Sequence, residues 1–390
     1  MERGRAAYAG IGIALVGYTS SFAIVLAGLQ HVGATRAEAT SGLVMLCVAL
    51  GLGTLWLSSR RRMPISLAWS TPGAAVLASA AAPLGGWPVA IGAFLATAAL
   101  IALAGSVPVF GRLVARVPAP IAQAMLAGVL LDICTGPIKE LSRHPWPISL
   151  ILVTWLVLSR FAPRWAVPGS FVTLLVVAVH GAAPVGVHDA MPHLIWIAPE
   201  FTPAGLLGIT VPLFIATMAA QNLPGVAIMS SYGYQVPWRE SMITTALGTA
   251  AAAPFGGHAI NLAAISAAVP ASAEAHPDPA KRWPASAAFG IAYLFLGLVT
   301  TGLVAYLAAT PPAVVGAVAA VGLLPTLGGA LSSVVSQEGQ RIPAVTTFVV
   351  AASNLSLLGI GSVFWALVAG ILSTAVLRSE PRWLRRVAGG

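Results

Sequence analysis

PISLAWSTPGAAVLASAA (64–81) and PFGGHAINLAAISAAV (254–269) are two apolar stretches that start badly as helices and end well. In the first, Ile65 and Trp69 precede Ser70, Thr71 and Pro72, and small helix formers follow. Ser or Thr with Pro at the first helical position is a helix start signal. In the second, Pro254, Gly256 and Gly257 discourage a helix until about His258. A helix from Ser70 to Ala82, or from His258 to Val269, rises only about 18 Å at about 1.5 Å per residue, short of an apolar membrane core of about 30 Å. Extended backbone has to cross the rest, and at membrane depth it is tolerated only inside protein or beside a cavity. Two short half-helices preceded by extended strands are therefore expected inside a bundle, each with its N-terminus near the midplane. Unsatisfied N–H groups and positive dipole ends at those points suit a carboxylate or another anion. Gly73, Gly256 and Gly257 would let that ligand approach the backbone.

The rest of the chain places these stretches in a membrane. Of 390 residues, 58% are hydrophobic and only 8% charged, with mean hydropathy +0.89. A soluble domain needs roughly a quarter charged residues to cover itself. Net charge +9 would suggest nucleic acid in a soluble chain; here it is assigned to loop anchors beside anionic lipid, and no nucleic-acid partner is expected. Cys47 and Cys134 lie far apart in apolar stretches, so there is no disulfide framework or metal-ligand spacing to read, and both are expected to be packing residues. No phosphate loop, dinucleotide fingerprint or metal-ligand spacing occurs. No cofactor or metal is expected, and neither an enzyme nor an ATP-driven pump is indicated.

Apolar segments bounded by Gly, Pro and charge number fourteen, from 8–32 to 361–377, with 65–82 the third and 255–269 the tenth. Arg3 and Arg5 before the first resemble a signal peptide, but the apolar run continues to about Val32 and reads as the first span. Threaded with both termini cytoplasmic, the chain leaves only Arg36, Lys139 and Arg143 outside. Every other Lys and Arg falls inside: Arg60 to Arg62, Arg112, Arg116, Arg160, Arg164, Arg239, Lys281, Arg282, Arg341, Arg378, Arg382, Arg385 and Arg386 join the N-terminal pair. Cytoplasmic loops retain basic residues, so this separation fixes the orientation.

Segment 183–202, without Lys or Arg, is then an external linker between residues 1–182 and 203–390. Each half holds seven segments, and an odd number forces the halves into inverted topology, a plan common among secondary transporters. The expected fold is an all-α polytopic membrane protein of fourteen transmembrane segments in two inverted seven-segment repeats. ATRAEATSGL (34–43) and PWRESMITTAL (237–247) add a weak internal similarity, each with Arg and Glu at a helix start. Ordinary helix caps account for that pair equally well.

Polar residues inside apolar segments are the remaining candidates. Gln221 and Asn222 interrupt ATMAAQNLPG (216–225) and belong in the bundle interior, with Pro224 and Gly225 shaping the helix just after them. Tyr18, Thr19, Ser20 and Ser21 lie at comparable depth, where the hydroxyls serve either a ligand or the helix backbone. Asp132, in MLAGVLLDIC (125–134), is the one carboxylate in a strongly apolar run, and therefore a proton-coupling candidate placed near the outer interface. A histidine ordinarily titrates near neutral pH, and a helix N-terminus would favour its neutral form, so His258 is a candidate both as neutral donor and as proton carrier.

AAQNLPGVAIM (219–229) and PFGGHAINLAAI (254–265), within this span layout, resemble the benzoate:proton symporter family (BenE) over essentially the whole chain. The resemblance implies the fold of the uracil transporter and its relatives. Segments 1–4 and 8–11 would form a core domain and segments 5–7 and 12–14 a gate domain, with substrate between half-helices 3 and 10. The nucleobase relatives carry glutamates at two places where this chain has Gln221 and His258. Their loss removes acceptors for a base's N–H edge and leaves donors suited to an aromatic carboxylate. It also leaves no carboxylate for proton coupling at either place.

The implied function is proton-coupled import of benzoate or a related aromatic acid across a bacterial inner membrane by an elevator-like movement of core past gate. An anion channel or exchanger, or a nucleobase transporter, is the alternative on the same scaffold. The substrate-binding candidates are Tyr18, Ser20, Ser21, Trp69, Ser70, Thr71, Gly73, Gln221, Asn222, Gly256, Gly257, His258 and Asn261, with Phe22 a further ring contact. The expected partners are the aromatic carboxylate, a proton and the lipid bilayer, and a homodimer is compatible with the sequence.

Overall fold

The computed structural model describes residues 2–80, 82–83, 85–114, 118–179, 186 and 190–378. Helix α1 (Glu2–His31) turns at Gly33, whose φ of 111° suits glycine, into α2 (Arg36–Arg61). A capping box fixes the start of α2: the Glu38 N–H donates to Thr35 Oγ1, and the Thr35 N–H donates to the Glu38 carboxylate at 2.8 Å. Strand β1 (Leu67–Trp69) leads into α3 (Thr71–Ser79). Next come α4 (Trp87–Ser106), α5 (Pro108–Val114), α6 (Ala119–Lys139), α7 (Pro145–Phe161) and α8 (Ala166–Ala178).

The second part opens with α9 (Pro203–Ser231), two of whose turns, Leu206–Thr210 and Met218–Asn222, widen to π geometry. Then follow α10 (Trp238–Ala252), β2 (Ile260–Leu262), a 3₁₀ turn at Ile265–Ala267 and α11 (Ala268–Ala271). Helices α12 (Trp283–Tyr306), α13 (Pro312–Ser336), α14 (Arg341–Ala352) and α15 (Ser362–Arg378) complete the described chain. Seven of the described helical stretches are long and apolar enough to cross a membrane. Large apolar side chains on the outer surface, such as Leu156, Phe161 and Phe295, are exposed as lipid-facing residues are.

The two broken segments meet. Strands β1 and β2 pair antiparallel, with Leu67 opposite Leu262, Ala68 opposite Asn261 and Trp69 opposite Ile260. The pairing is extended by the Ser70 N–H to the Ala259 carbonyl and the Ala263 N–H to the Ser66 carbonyl, both 2.9 Å. A two-stranded ribbon is marginal in water, but here it is buried, and each strand satisfies backbone groups that the other segment also needs to pair.

The first broken segment is built as a strand and a helix capped at Ser70, as its sequence predicts, but the helix ends at Ser79, short of Ala82. The second departs further: no helix starts at His258. Residues 258–262 are extended, and helical turns begin only at Ile265. Acceptors from elsewhere hold them so. The Ile260 N–H donates to Thr249 Oγ1 at 3.0 Å and the Leu262 N–H to Asn222 Oδ1 at 2.8 Å. A helix would forfeit these bonds and the ribbon together.

Helix α2 packs on α12, α10 on α4, and α1 on α3 and α12. On the other side α6 packs on α13 and α14, α7 on α8, and α14 on α15. Helix α1 also runs along α13 and α8, so the seam between the two groups lies there. It is tight: a Cβ on Gly322 of α13 would stand 2.5 Å from the Ser20 carbonyl oxygen of α1.

Charges gather at the two ends. At one end Arg60 and Arg61 pair with Glu240, Arg164 with Glu274 at 2.7 Å, and Lys281 with Asp278 at 3.6 Å. Glu38 and Glu240, which the sequence likened, therefore do different work: one caps α2, and the other pairs with its last turn. Segment 191–202 is tied to the opposite ends of α2, α4 and α10 through Ile195 N–H to Ser41 Oγ, Ile197 N–H to the Pro254 carbonyl and Glu200 N–H to the Pro88 carbonyl. Arg116, Arg382, Arg385 and Arg386 lie outside the described residues, as do 183–185 and 187–189 of the linker. Both cysteines are buried and free.

Candidate substrate site

Ser70 is the knot of the junction. As the N-cap of α3 its hydroxyl accepts the Gly73 N–H at 3.1 Å, and it also accepts from Thr217 Oγ1 of α9 at 2.9 Å. Its carbonyl accepts both the Ala74 N–H at 2.7 Å and His258 Nε2 at 3.1 Å. A carbonyl only accepts, so Nε2 carries the proton, and the neutral ring offers Nδ1 as an acceptor. That Nδ1 is buried and has no hydrogen-bond partner. His258 thus keeps its place beside Ser70, although it heads no helix.

The amides of α9 divide. Asn222 is fully buried and structural: Oδ1 holds the β2 backbone at Leu262, while Nδ2 points at Met218 Sδ, 3.2 Å away. Gln221 is half-buried and has no hydrogen-bond partner among the described residues. Both sit in the π turn Met218–Asn222, a widened geometry that recurs at functional sites. Pro224, two residues beyond the turn, has no N–H to offer the Ala220 carbonyl, and the other π turn likewise ends two residues before Pro212. Thr217, which the sequence left unremarked, lies four residues before Gln221, a spacing that puts both on one helix face.

The aromatic candidates form a wall. Trp69 packs on Tyr18 and Tyr293 with ring centroids 5.6 Å apart in each pair, and Tyr18 packs on Phe22 at 5.4 Å. The polar ends are committed: Trp69 Nε1 donates to Ser21 Oγ at 2.8 Å, and Tyr18 Oη meets Thr300 Oγ1 at 2.8 Å. Ser20 and Ser21 both donate to the Gly17 carbonyl, and Thr19 donates to the Leu15 carbonyl. The hydroxyls of α1 therefore serve its own backbone, with Ser21 also orienting Trp69. Thr71, half-buried, opens α3, and Asn261 is buried on β2 opposite Ala68.

Three glycines depart from expectation. A Cβ on Gly256 (φ 97°) would meet the Glu38 carbonyl, Gly42 and Trp87, where the end of α10 abuts the start of α2. A Cβ on Gly257 would meet Ala252 of its own chain turn at 2.6 Å. Neither lies at a helix N-terminus, because residues 258–262 are strand and coil. Gly73 is in the first turn of α3, but Leu213 and Ser70, at 2.5 and 2.7 Å from an added Cβ, fill its surroundings. Asp132 is not drawn to the junction: its carboxylate is exposed and paired with Lys139, seven residues on in the same helix, at 2.7 Å.

Uncharged donors, a helix dipole, one imidazole and an aromatic wall thus surround the point where the two broken segments pair. No group of three His, Cys, Asp or Glu among the described residues is placed to hold a metal ion. Residues 4–376 match the family model described as "Benzoate membrane transport protein". The chain belongs to the BenE family. It is a membrane transport protein and not an enzyme. This BenE chain is 38% identical over 373 residues to the inner membrane protein YdcO of Escherichia coli K12, covering 95% of each chain. It is 28% identical over 376 residues to the benzoate membrane transport protein of Acinetobacter baylyi, again covering 95% of each. Among solved structures, SLC26A9 aligns with TM-score 0.66 at 14% identity over 95% of this chain, which spans 64% of that protein. The transmembrane domain of a cyanobacterial bicarbonate transporter, BicA, aligns with TM-score 0.58 at 14% identity over 97% of each chain. At such identities the likeness is one of fold, and the BenE chain has an SLC26-like fold.

Proposed function

We propose that this BenE protein is a secondary transporter importing benzoate or a related aromatic carboxylate together with a proton. The observation that carries this is the junction at Ser70, where the first turn of α3, the Thr217 hydroxyl and the ring of His258 offer dipoles and uncharged polar groups beside Trp69 and Tyr18, with Gln221 one turn along α9 from Thr217. A carboxylate there meets no fixed negative charge, and its ring finds aromatic surface. The family description and the Acinetobacter relative's name support the substrate class. The name of the Escherichia coli relative supports an inner-membrane location.

In this proposal fourteen segments form two inverted repeats, 1–182 and 203–390, joined by an external linker, with both termini cytoplasmic. The antiparallel meeting of two broken segments, one from each half, is what inverted repeats produce. Segments 1–4 and 8–11 act as the core and segments 5–7 and 12–14 as the gate, in keeping with the two packing groups and the α1–α13 seam. Transport moves the core along that seam, and His258 is the proton candidate because the Ser70 contact leaves Nδ1 able to accept. Asp132, exposed and paired with Lys139, is not retained for that role. Uptake of labelled benzoate into proteoliposomes should saturate and rise severalfold with an inward proton gradient. Uptake indifferent to the gradient, or accompanied by benzoate conductance, favours the exchanger or channel instead.

A further inference from the structure

We propose that a cavity at the basic end of the molecule is a second binding station for the same aromatic carboxylate, a vestibule between that end and the Ser70 junction; it rests on the aromatic-acid reading above. The cavity measures about 720 Å³, within the size range of ligand clefts. Helix α1 lines one wall with Arg5, Ala9, Gly12 and Val16, spaced as one helix face, and the next residue on that face is Ser20, at the seam beside Gly322. From Arg5 to Val16 this wall rises about 16 Å. Arg164 and Trp165, between α7 and α8, form the opposite wall, and Val269 of α11 and Glu274 close the side. The cavity therefore lies across the boundary of the two packing groups, and a Cβ on Gly12 would meet nothing within 4 Å.

Its chemistry fits an aromatic acid. Arg164 Nη2 donates to Glu274 Oε1 at 2.7 Å, and Arg5 Nε donates to the Glu274 backbone carbonyl at 3.0 Å. The exposed rings of Tyr8 and Trp165 stand over apolar walls. A guanidinium that binds one carboxylate can bind another, so Glu274 occupies the seat that the ligand takes when the pair opens. Glu274, on the closing side, accepts from Arg5 through its carbonyl and from Arg164 through its carboxylate, so a ligand that took its place on Arg164 would release the link between the α7–α8 wall and that side.

Photolabelling with 4-azidobenzoate tests this in the full-length protein reconstituted in nanodiscs of zwitterionic lipid, followed by peptide mapping. Label is expected in peptides covering Tyr8 or Trp165 as well as in the peptide covering Ser70. Glu274→Gln should raise the vestibule label severalfold, while Arg164→Gln and the cavity-filling Gly12→Leu should each lower it at least fivefold, with the Ser70 label unchanged. The exposed Arg164–Glu274 pair contributes little to stability, so both polar variants should keep the elution profile of the parent. Label confined to the Ser70 peptide would overturn the vestibule and leave the transport reading standing. So would equal labelling by neutral 4-azidobenzamide, or vestibule label removed by added phosphatidylglycerol, which would make a lipid headgroup the occupant. Label at neither place would overturn both.

Discussion

His258 Nε2 stands 3.1 Å from the carbonyl oxygen of Ser70, joining two broken segments that lie 188 residues apart in the chain. The contact fixes the tautomer, and with it the only state in which the ring offers a second donor: the imidazolium, protonated at Nδ1. Neutral His258 cannot donate to a carboxylate through Nδ1, whereas the charged ring can. Proton and substrate would then be bound together.

His258→Ala is expected to cut proton-driven benzoate uptake more than tenfold. It should also destabilise the protein by about 1–3 kcal/mol, the usual cost of losing a buried hydrogen-bonded side chain. Uptake measured well below the unfolding midpoint separates the two effects. A folded variant transporting normally at every pH would remove His258 from coupling.

Ser70→Ala removes the N-cap of α3 and the acceptor for Thr217 in one step, while Thr217→Val removes only the second bond. The first should cost about 1 kcal/mol more than the second in stability. It should also weaken benzoate binding more strongly, because the first turn of α3 loses its alignment. Equal losses in thermal unfolding and in binding would show that the cap does not matter.

Gly257→Val is expected to lower thermal stability through its clash with Ala252, leaving benzoate affinity in the folded fraction close to the parent's. Gly322→Val acts elsewhere. Its side chain would strike the Ser20 carbonyl at the seam, so uptake should fall more than tenfold while equilibrium binding persists. Loss of binding in Gly322→Val would place the seam inside the site and not at a sliding surface.

Benzoate should raise the unfolding midpoint of the purified protein, and uracil should not, because only a ligand that prefers the folded site shifts it. Gln221→Glu should weaken benzoate at least tenfold. Two unit charges about 4 Å apart repel by about 4 kcal/mol at an effective dielectric of about 20. Asp132→Asn, by contrast, should leave uptake within twofold of the parent, since that carboxylate is exposed beside Lys139. Stabilisation by uracil alone would turn the assignment toward a nucleobase.

Helix positions, membrane residence and the start of α3 were legible in the sequence because each depends on short-range rules. Apolar length, Gly and Pro punctuation and the Ser70-Thr71-Pro72 start signal act within a few residues of where they are read. The sorting of basic residues put Arg5 and Arg164 on one side, and both reach Glu274. What the sequence did not reveal depends on partners far away. His258 looked like a helix start because Gly256 and Gly257 precede it, yet Thr249, Asn222 and β1 supply hydrogen bonds that hold the segment extended. Asn222 looked like a ligand group and is a backbone clamp, while Thr217 looked ordinary and reaches Ser70. Asp132, placed near the outer interface by its distance along the helix, is exposed there, but its partner Lys139, seven residues on, was not foreseen. Local propensity decides where a buried chain would coil if left to itself; which backbone and side-chain groups find acceptors is decided by the segments that tertiary packing brings beside it.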